Sequence, residues 1–106
     1  MTGERVVRRL AAILAADVVG YARLMGRDEN GMLDRLREHR KQRFEPILAR
    51  HGGRLVKLMG DGALAEFPSA VDALSAAISF QQAMSEANRD QLADAAIVFR
   101  IGLHLG

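Results

Sequence analysis

The sequence predicts a mixed α/β (α+β) domain of element order β-α-β-β-α-β, one domain over residues 1–106. Three observations carry that reading. A nearly continuous apolar run over residues 9–19 is closed by Gly20. Two short strand-like runs flank Gly60-Asp61-Gly62, and two further stretches carry apolar residues at helical spacing.

Taken in order, the first run reads as a strand buried on both faces. Its alanines are poor strand formers, so propensity alone leaves a buried helix open. Arg5, Arg8 and Arg9 ahead of it have the order of a signal peptide, but the apolar stretch is short and Asp17 follows it directly. It also falls far short of the roughly 20 apolar residues that a membrane span needs. The expected location is cytoplasmic, with no membrane span.

Residues 21–25 give a short helical piece. Asp28 opens a longer helical pattern with apolar positions at Met32, Leu33, Leu36, Phe44, Ile47 and Leu48. Pro46 kinks or restarts that helix, and Gly52-Gly53 ends it. Arg54–Met59 and residues 63–67 then form a hairpin, with glycines supplying the turn. Ser69 and Asp72 have the spacing of a capping box. The helix they open carries Val71, Leu74 and Ile78, with Ala77, Phe80 and Met84 beside them. Residues 88–94 read as a polar loop, and residues 97–105 alternate as a half-buried strand through Ile97, Phe99, Ile101, Leu103 and Leu105. Met32, Met59 and Met84 fit core filling. This order is the ferredoxin-like, or split βαβ, arrangement.

Composition bounds the chemistry. With 49% hydrophobic and 26% charged residues the chain is an ordinary globular one. A net charge of +2 gives no reason to expect nucleic acid as a partner. The absence of cysteine excludes disulfides, thiolate metal sites and cysteine nucleophiles. His39, His51 and His104 have no metal-ligand spacing, and Arg35, Arg37, Arg40, Lys41 and Arg43 read as a solvated basic face.

Topology brings two aspartates together. A right-handed crossover makes the first two strands parallel, and in the split form the third lies between them, antiparallel to both. Asp17, ending the first strand, then meets Asp61, which opens the third. Two adjacent carboxylates repel unless a cation or proton lies between them. An oxygen-only pair favours magnesium or manganese. Gly20 would free backbone N–H groups for phosphate oxygens, and Gly60 and Gly62 would allow a nucleotide close to the backbone. Taken singly, each Asp is also an ordinary turn residue.

The stretch Ala15-Ala16-Asp17-Val18-Val19-Gly20-Tyr21 resembles the first metal motif of class III adenylate and guanylate cyclases. Lys57-Leu58-Met59-Gly60-Asp61-Gly62 resembles the second, and residues 99–106 fit the family's spacing. The resemblance implies two Mg2+ or Mn2+ ions held by Asp17, Asp61 and the carbonyl of Val18, with ATP as substrate. It implies that backbone groups of Val19, Gly20, Tyr21 and Ala22 cradle the phosphates, with Gly60 beside the nucleotide. Ala22 stands where the family often has a hydroxyl residue, which removes a side-chain contact. Lys57 matches the lysine that reads adenine, where guanylate cyclases usually place an acid.

The resemblance further implies the N-terminal part of a cyclase domain, ended after its fourth strand. The transition-state asparagine and arginine would lie outside the chain, so no catalytic residue beyond the metal ligands is expected. A homodimer or a complementing cyclase half would complete the site. Alternatives are a diguanylate-cyclase-like or polymerase-palm-like domain, and a non-catalytic dimerisation or nucleotide-sensing module. Few aromatics on the sheet disfavour RNA binding.

Overall fold

A computed structural model describes residues 12–92 and 95–105. The elements are β1 (Ala12–Val18), α1 (Tyr21–Arg27), α2 (Glu29–His39), a π-helical turn (Arg40–Phe44), α3 (Glu45–Arg50), β2 (Arg54–Met59), β3 (Gly62–Phe67), α4 (Ala70–Asn88) and β4 (Phe99–Leu105). The sheet has the order β2-β3-β1-β4, with every neighbouring pair antiparallel. Strands β1 and β2 are therefore parallel with β3 between them, which is the split arrangement that the sequence predicts.

Strand β1 departs from expectation. Ala12, Leu14, Ala16 and Val18 are buried, while Ile13, Ala15 and Asp17 are only partly covered. The helices pack on one face of the sheet, so the strand is buried on one side. The apolar run is continuous because small or apolar residues also occupy the open side. Positions 9–11 of the predicted strand lie outside the described residues.

Asp28 caps α2 by accepting the N–H of Gly31 at 3.1 Å. Pro46 lies in the first turn of α3, immediately after the π-helical turn. Proline has no N–H, and its ring crowds the carbonyl four residues earlier. The widened turn and restarted helix are the local answer to that crowding.

Helix α4 starts as predicted. Ser69 Oγ accepts the Asp72 N–H at 3.1 Å and donates to Asp72 Oδ2 at 2.9 Å. Only part of the apolar set named for it faces the core: Val71, Leu74 and Ile78 are 73%, 51% and 50% exposed. Ala77, Phe80 and Met84, named beside them from the sequence, are buried, together with Ala73 and Ala76. The small alanines let the helix lie close to the sheet, so the wide apolar side chains of the other stripe are not needed there. Met59, expected to fill the core, is exposed, as is Leu33 of the α2 apolar pattern.

Phe80 organises the core, with ring centroids 5.0 Å from both Phe44 and Phe99 and tilted by 62° and 59°. Such tilted pairs add to the area that the rings bury. The helix runs on through Asn88, which was expected in a loop. Its side-chain amide donates to the Ile97 carbonyl at 2.8 Å and accepts the Ile97 N–H at 3.3 Å. That clamp seats buried Ile97 just before β4, which begins two residues later than predicted. Leu103 and Leu105 on β4 are exposed. Among the described residues no helix is long and apolar enough to cross a membrane.

Candidate cation and nucleotide site

Asp17 is the penultimate residue of β1, and its two neighbours across the sheet are Gly62 on β3 and Arg100 on β4. Asp61 immediately precedes Gly62, in the two-residue turn joining β2 to β3. The pairing of an early strand with a late hairpin therefore brings Asp17 and Asp61 to one end of the sheet. Both line an open cleft of about 440 Å³, together with Arg100 and Gly62. That volume is within the range of small-ligand sites.

Glycines make the juncture possible. A Cβ at Gly62 would lie 2.9 Å from the Ala16 carbonyl oxygen, too close for any side chain. Gly60 has φ 46°, the left-handed conformation that turns the chain into β3.

Arg100 is the residue that sequence reasoning missed. Its Nε donates to Asp17 Oδ1 at 3.1 Å and its Nη2 to Oδ2 at 2.9 Å. This fork holds the Asp17 carboxyl below its ordinary range, chiefly by hydrogen bonding to Arg100; desolvation opposes it, and the charge of Arg100 adds a smaller lowering. Arg100 is held charged more firmly than usual by its hydrogen bond to Asp17, then by that residue's charge, and further by the charge of Asp61. Both carboxylates thus act on one guanidinium. The signal was present in the alternation of β4, which puts Arg100 opposite in facing to Phe99 and Ile101.

The side chains of Arg100 and Asp17 remain 71% and 40% exposed, so solvent ions reach the pair. Two carboxylates against one guanidinium leave a net negative charge. Among the described residues no third His, Cys, Asp or Glu side chain joins them. A cation there would draw on two carboxylates and backbone oxygen, a donor set suited to hard ions.

The segment after Asp17 is placed in part as expected. Val18 ends β1 with its side chain buried. Gly20 caps α1 at φ 69° in the left-handed region, and the first helical bond runs from the Leu24 N–H to the Gly20 carbonyl at 3.1 Å. Tyr21 and Ala22 thus start the helix with N–H groups that have no acceptor within it. Val19 differs: its N–H donates to the Val98 carbonyl at 2.9 Å and is not free for phosphate.

Lys57 pairs with Leu64, which pairs with Ala15, so Lys57 shares the open face with Asp17. The two stand two strands and two residues apart, roughly 12 Å between Cα atoms from standard strand spacings. The structure does not bring Lys57 into contact with the carboxylate pair.

Comparison with known proteins gives a consistent picture. No protein-family model matches the chain. It is 53% identical over 106 residues to the Rhizobium meliloti (strain 1021) protein named Putative adenylate cyclase 3, covering all of this chain and 18% of that protein. It is 45% identical to the crystal structure of an adenylate/guanylate cyclase/hydrolase from Silicibacter pomeroyi, with a TM-score of 0.86 over 94% of this chain and 58% of that one. The guanylyl cyclase Cya2 shares the fold at 22% identity, with a TM-score of 0.78 over 94% of this chain and 55% of that one. The chain therefore spans less than two thirds of the length of each of these relatives. With this fold, these motifs and these relatives, the chain belongs to the class III adenylate/guanylate cyclase family as part of its catalytic domain.

Proposed function

We propose that the chain supplies the cation-binding part of an adenylate cyclase site that makes 3′,5′-cyclic AMP and pyrophosphate from ATP in signal transduction. The observation that carries this reading is the meeting of Asp17 and Asp61 on one cleft, in a chain whose relatives are named cyclases.

Asp17, Asp61 and the Val18 carbonyl would hold two Mg2+ or Mn2+ ions. When bound, such ions neutralise charge on the attacking and leaving oxygens. In the reaction the ribose 3′-hydroxyl gives its proton to solvent water, and its oxygen forms the new bond to the α-phosphorus. The bond from that phosphorus to pyrophosphate breaks.

The chain's own groups bind and orient. Asp17 and Asp61 fix where positive charge collects. The N–H groups of Gly20, Tyr21 and Ala22 suit phosphate oxygens. Arg100, once a cation takes Asp17, offers a planar pair of donors to the triphosphate. Lys57 stands too far off to share a phosphate with them, and acts at the base. An ammonium donates to a ring nitrogen but cannot accept, which favours adenine.

Residues 1–106 are read as the N-terminal part of the domain, completed by a homodimer partner or a complementing half. Without preorganised transition-state donors, rates fall by orders of magnitude. The purified chain alone is expected to make little cyclic AMP, and robust production would overturn that.

Calorimetric titration of ATP and GTP with manganese tests the assignment. The wild type should prefer ATP, Asp17→Ala should lose the cation-dependent part, and Lys57→Glu should erase the preference. Failure to bind either nucleotide would favour a non-catalytic dimerisation module.

A further inference from the structure

We propose that the cavity behind the β2–β3 turn binds a small amphipathic anion, a carboxylate with a short apolar tail, and that its occupancy is coupled to the cation site. The cavity lies on the helix-covered side of the sheet and measures about 180 Å³. Leu36, Phe44, Leu58, Phe80 and Phe99 form its apolar wall. An apolar cavity of about 150 Å³ already holds a benzene-sized molecule, so a short hydrocarbon tail has room.

Charge selects the head group. Arg37 and Arg40 line the same cavity with one carboxylate, Asp61; Arg37 already donates to Asp34 at 3.4 Å, so Arg40 is the guanidinium left for the head group. Arg40 Nε is buried without a hydrogen-bond acceptor. Its carboxylate neighbour, Glu45 Oε2, stands 3.6 Å away, beyond hydrogen-bond reach. A buried donor left unpaired is where a ligand oxygen gains most.

Coupling follows from a shared wall. Asp61 and Gly62 line both this cavity and the cleft that holds Asp17. Gly60, in the same turn, has open space where a Cβ would stand. The Asp61 charge opposes an anion in the cavity, and a cation on Asp61 relieves that opposition. Each ligand should therefore tighten the other by the same factor. This coupling rests on the proposed role of Asp61; occupancy of the cavity does not.

The test is a titration of the chain with sodium octanoate, following the backbone amide resonances of Gly60 and Gly62 without divalent ions. Saturable shifts are expected, at least about tenfold weaker in midpoint with 1-octanol or in Arg40→Gln. Leu36→Trp, which fills the cavity, should abolish them. No saturation, or equal binding of the alcohol, or unchanged binding by Arg40→Gln, overturns the site. Manganese affinity should rise about fivefold or more with octanoate present; no change overturns the coupling. In Asp61→Asn, octanoate should still bind while manganese binding is lost. Persistent manganese binding there would refute the cation-site reading and leave the cavity site standing.

Discussion

Arg100 and Asp17 lie directly across from one another on β4 and β1, joined by two hydrogen bonds of 3.1 and 2.9 Å. The guanidinium occupies the carboxylate that a metal ion would otherwise take. Replacing it should therefore move two quantities in opposite directions. Arg100→Gln is expected to tighten manganese binding several-fold in the absence of nucleotide, because a competing cation is gone. The same change should weaken binding of the nucleotide triphosphate. It should also let the Asp17 carboxyl rise toward 3.8, its ordinary value, in a carbon-13 titration. Because Asp17 is depressed in the folded chain, its contribution is present above that ordinary value and is lost as pH falls through the folded one.

Stability should also respond to His39. Burial lowers its pKa from 6.5, aided by the charge of Arg43 and, more weakly, Arg35, while Glu38 opposes. The unfolded chain then binds a proton more readily than the folded one below pH 6.5. Denaturant midpoints should fall between pH 7.5 and pH 5.5, and His39→Gln should flatten that fall. An equal slope in the variant would contradict the assignment.

Glycines of similar appearance should differ sharply. A Cβ at Gly53 would lie 2.4 Å from Phe67 Cε2, and Phe67 is buried. Gly53→Ala should cost about 1–3 kcal/mol by overpacking. Gly102, with nothing within 4 Å, should accept alanine with little change in the urea midpoint.

Helix α4 offers a comparison of its two stripes. Phe80→Ala removes the ring that meets Phe44 and Phe99 and should cost about 3–5 kcal/mol. Val71→Ser, on the exposed side, should shift stability by no more than about 0.5 kcal/mol. Thermal unfolding of the two variants checks the order.

These residues show what could be read before the structure. The strand order followed from one crossover and one hairpin, and it put Asp17 and Asp61 at the end of the sheet where both line one cleft. Ser69 caps through a contact three residues away, so its spacing to Asp72 revealed it, whereas Asp28 was read from its place at the head of a helical pattern. The buried face of α4 was legible only in part: Ala77, Phe80 and Met84 were named, but Val71, Leu74 and Ile78 share the helical periodicity, and nothing in the sequence separates the two stripes. The Arg100–Asp17 pair spans 83 residues of sequence. It emerges only when β4 is laid against β1, since neither residue carries a local mark of the other. Lys57 was correctly put on a strand, yet its distance from the carboxylates required the register of three strands.

The order in which the sheet can assemble follows from its pairings. Strands β2 and β3 are sequence neighbours, and their hairpin closes a short loop. Strand β1 pairs with β4 in a register that sets Ala12 against Leu105, near the two ends of the chain. Closing so long a loop is entropically costly and slow. Asp61 is thus positioned by local chemistry early, whereas Asp17 acquires its setting only when the last strand arrives. A lesion that loosens β4 should abolish ion binding while the hairpin amides remain protected from exchange.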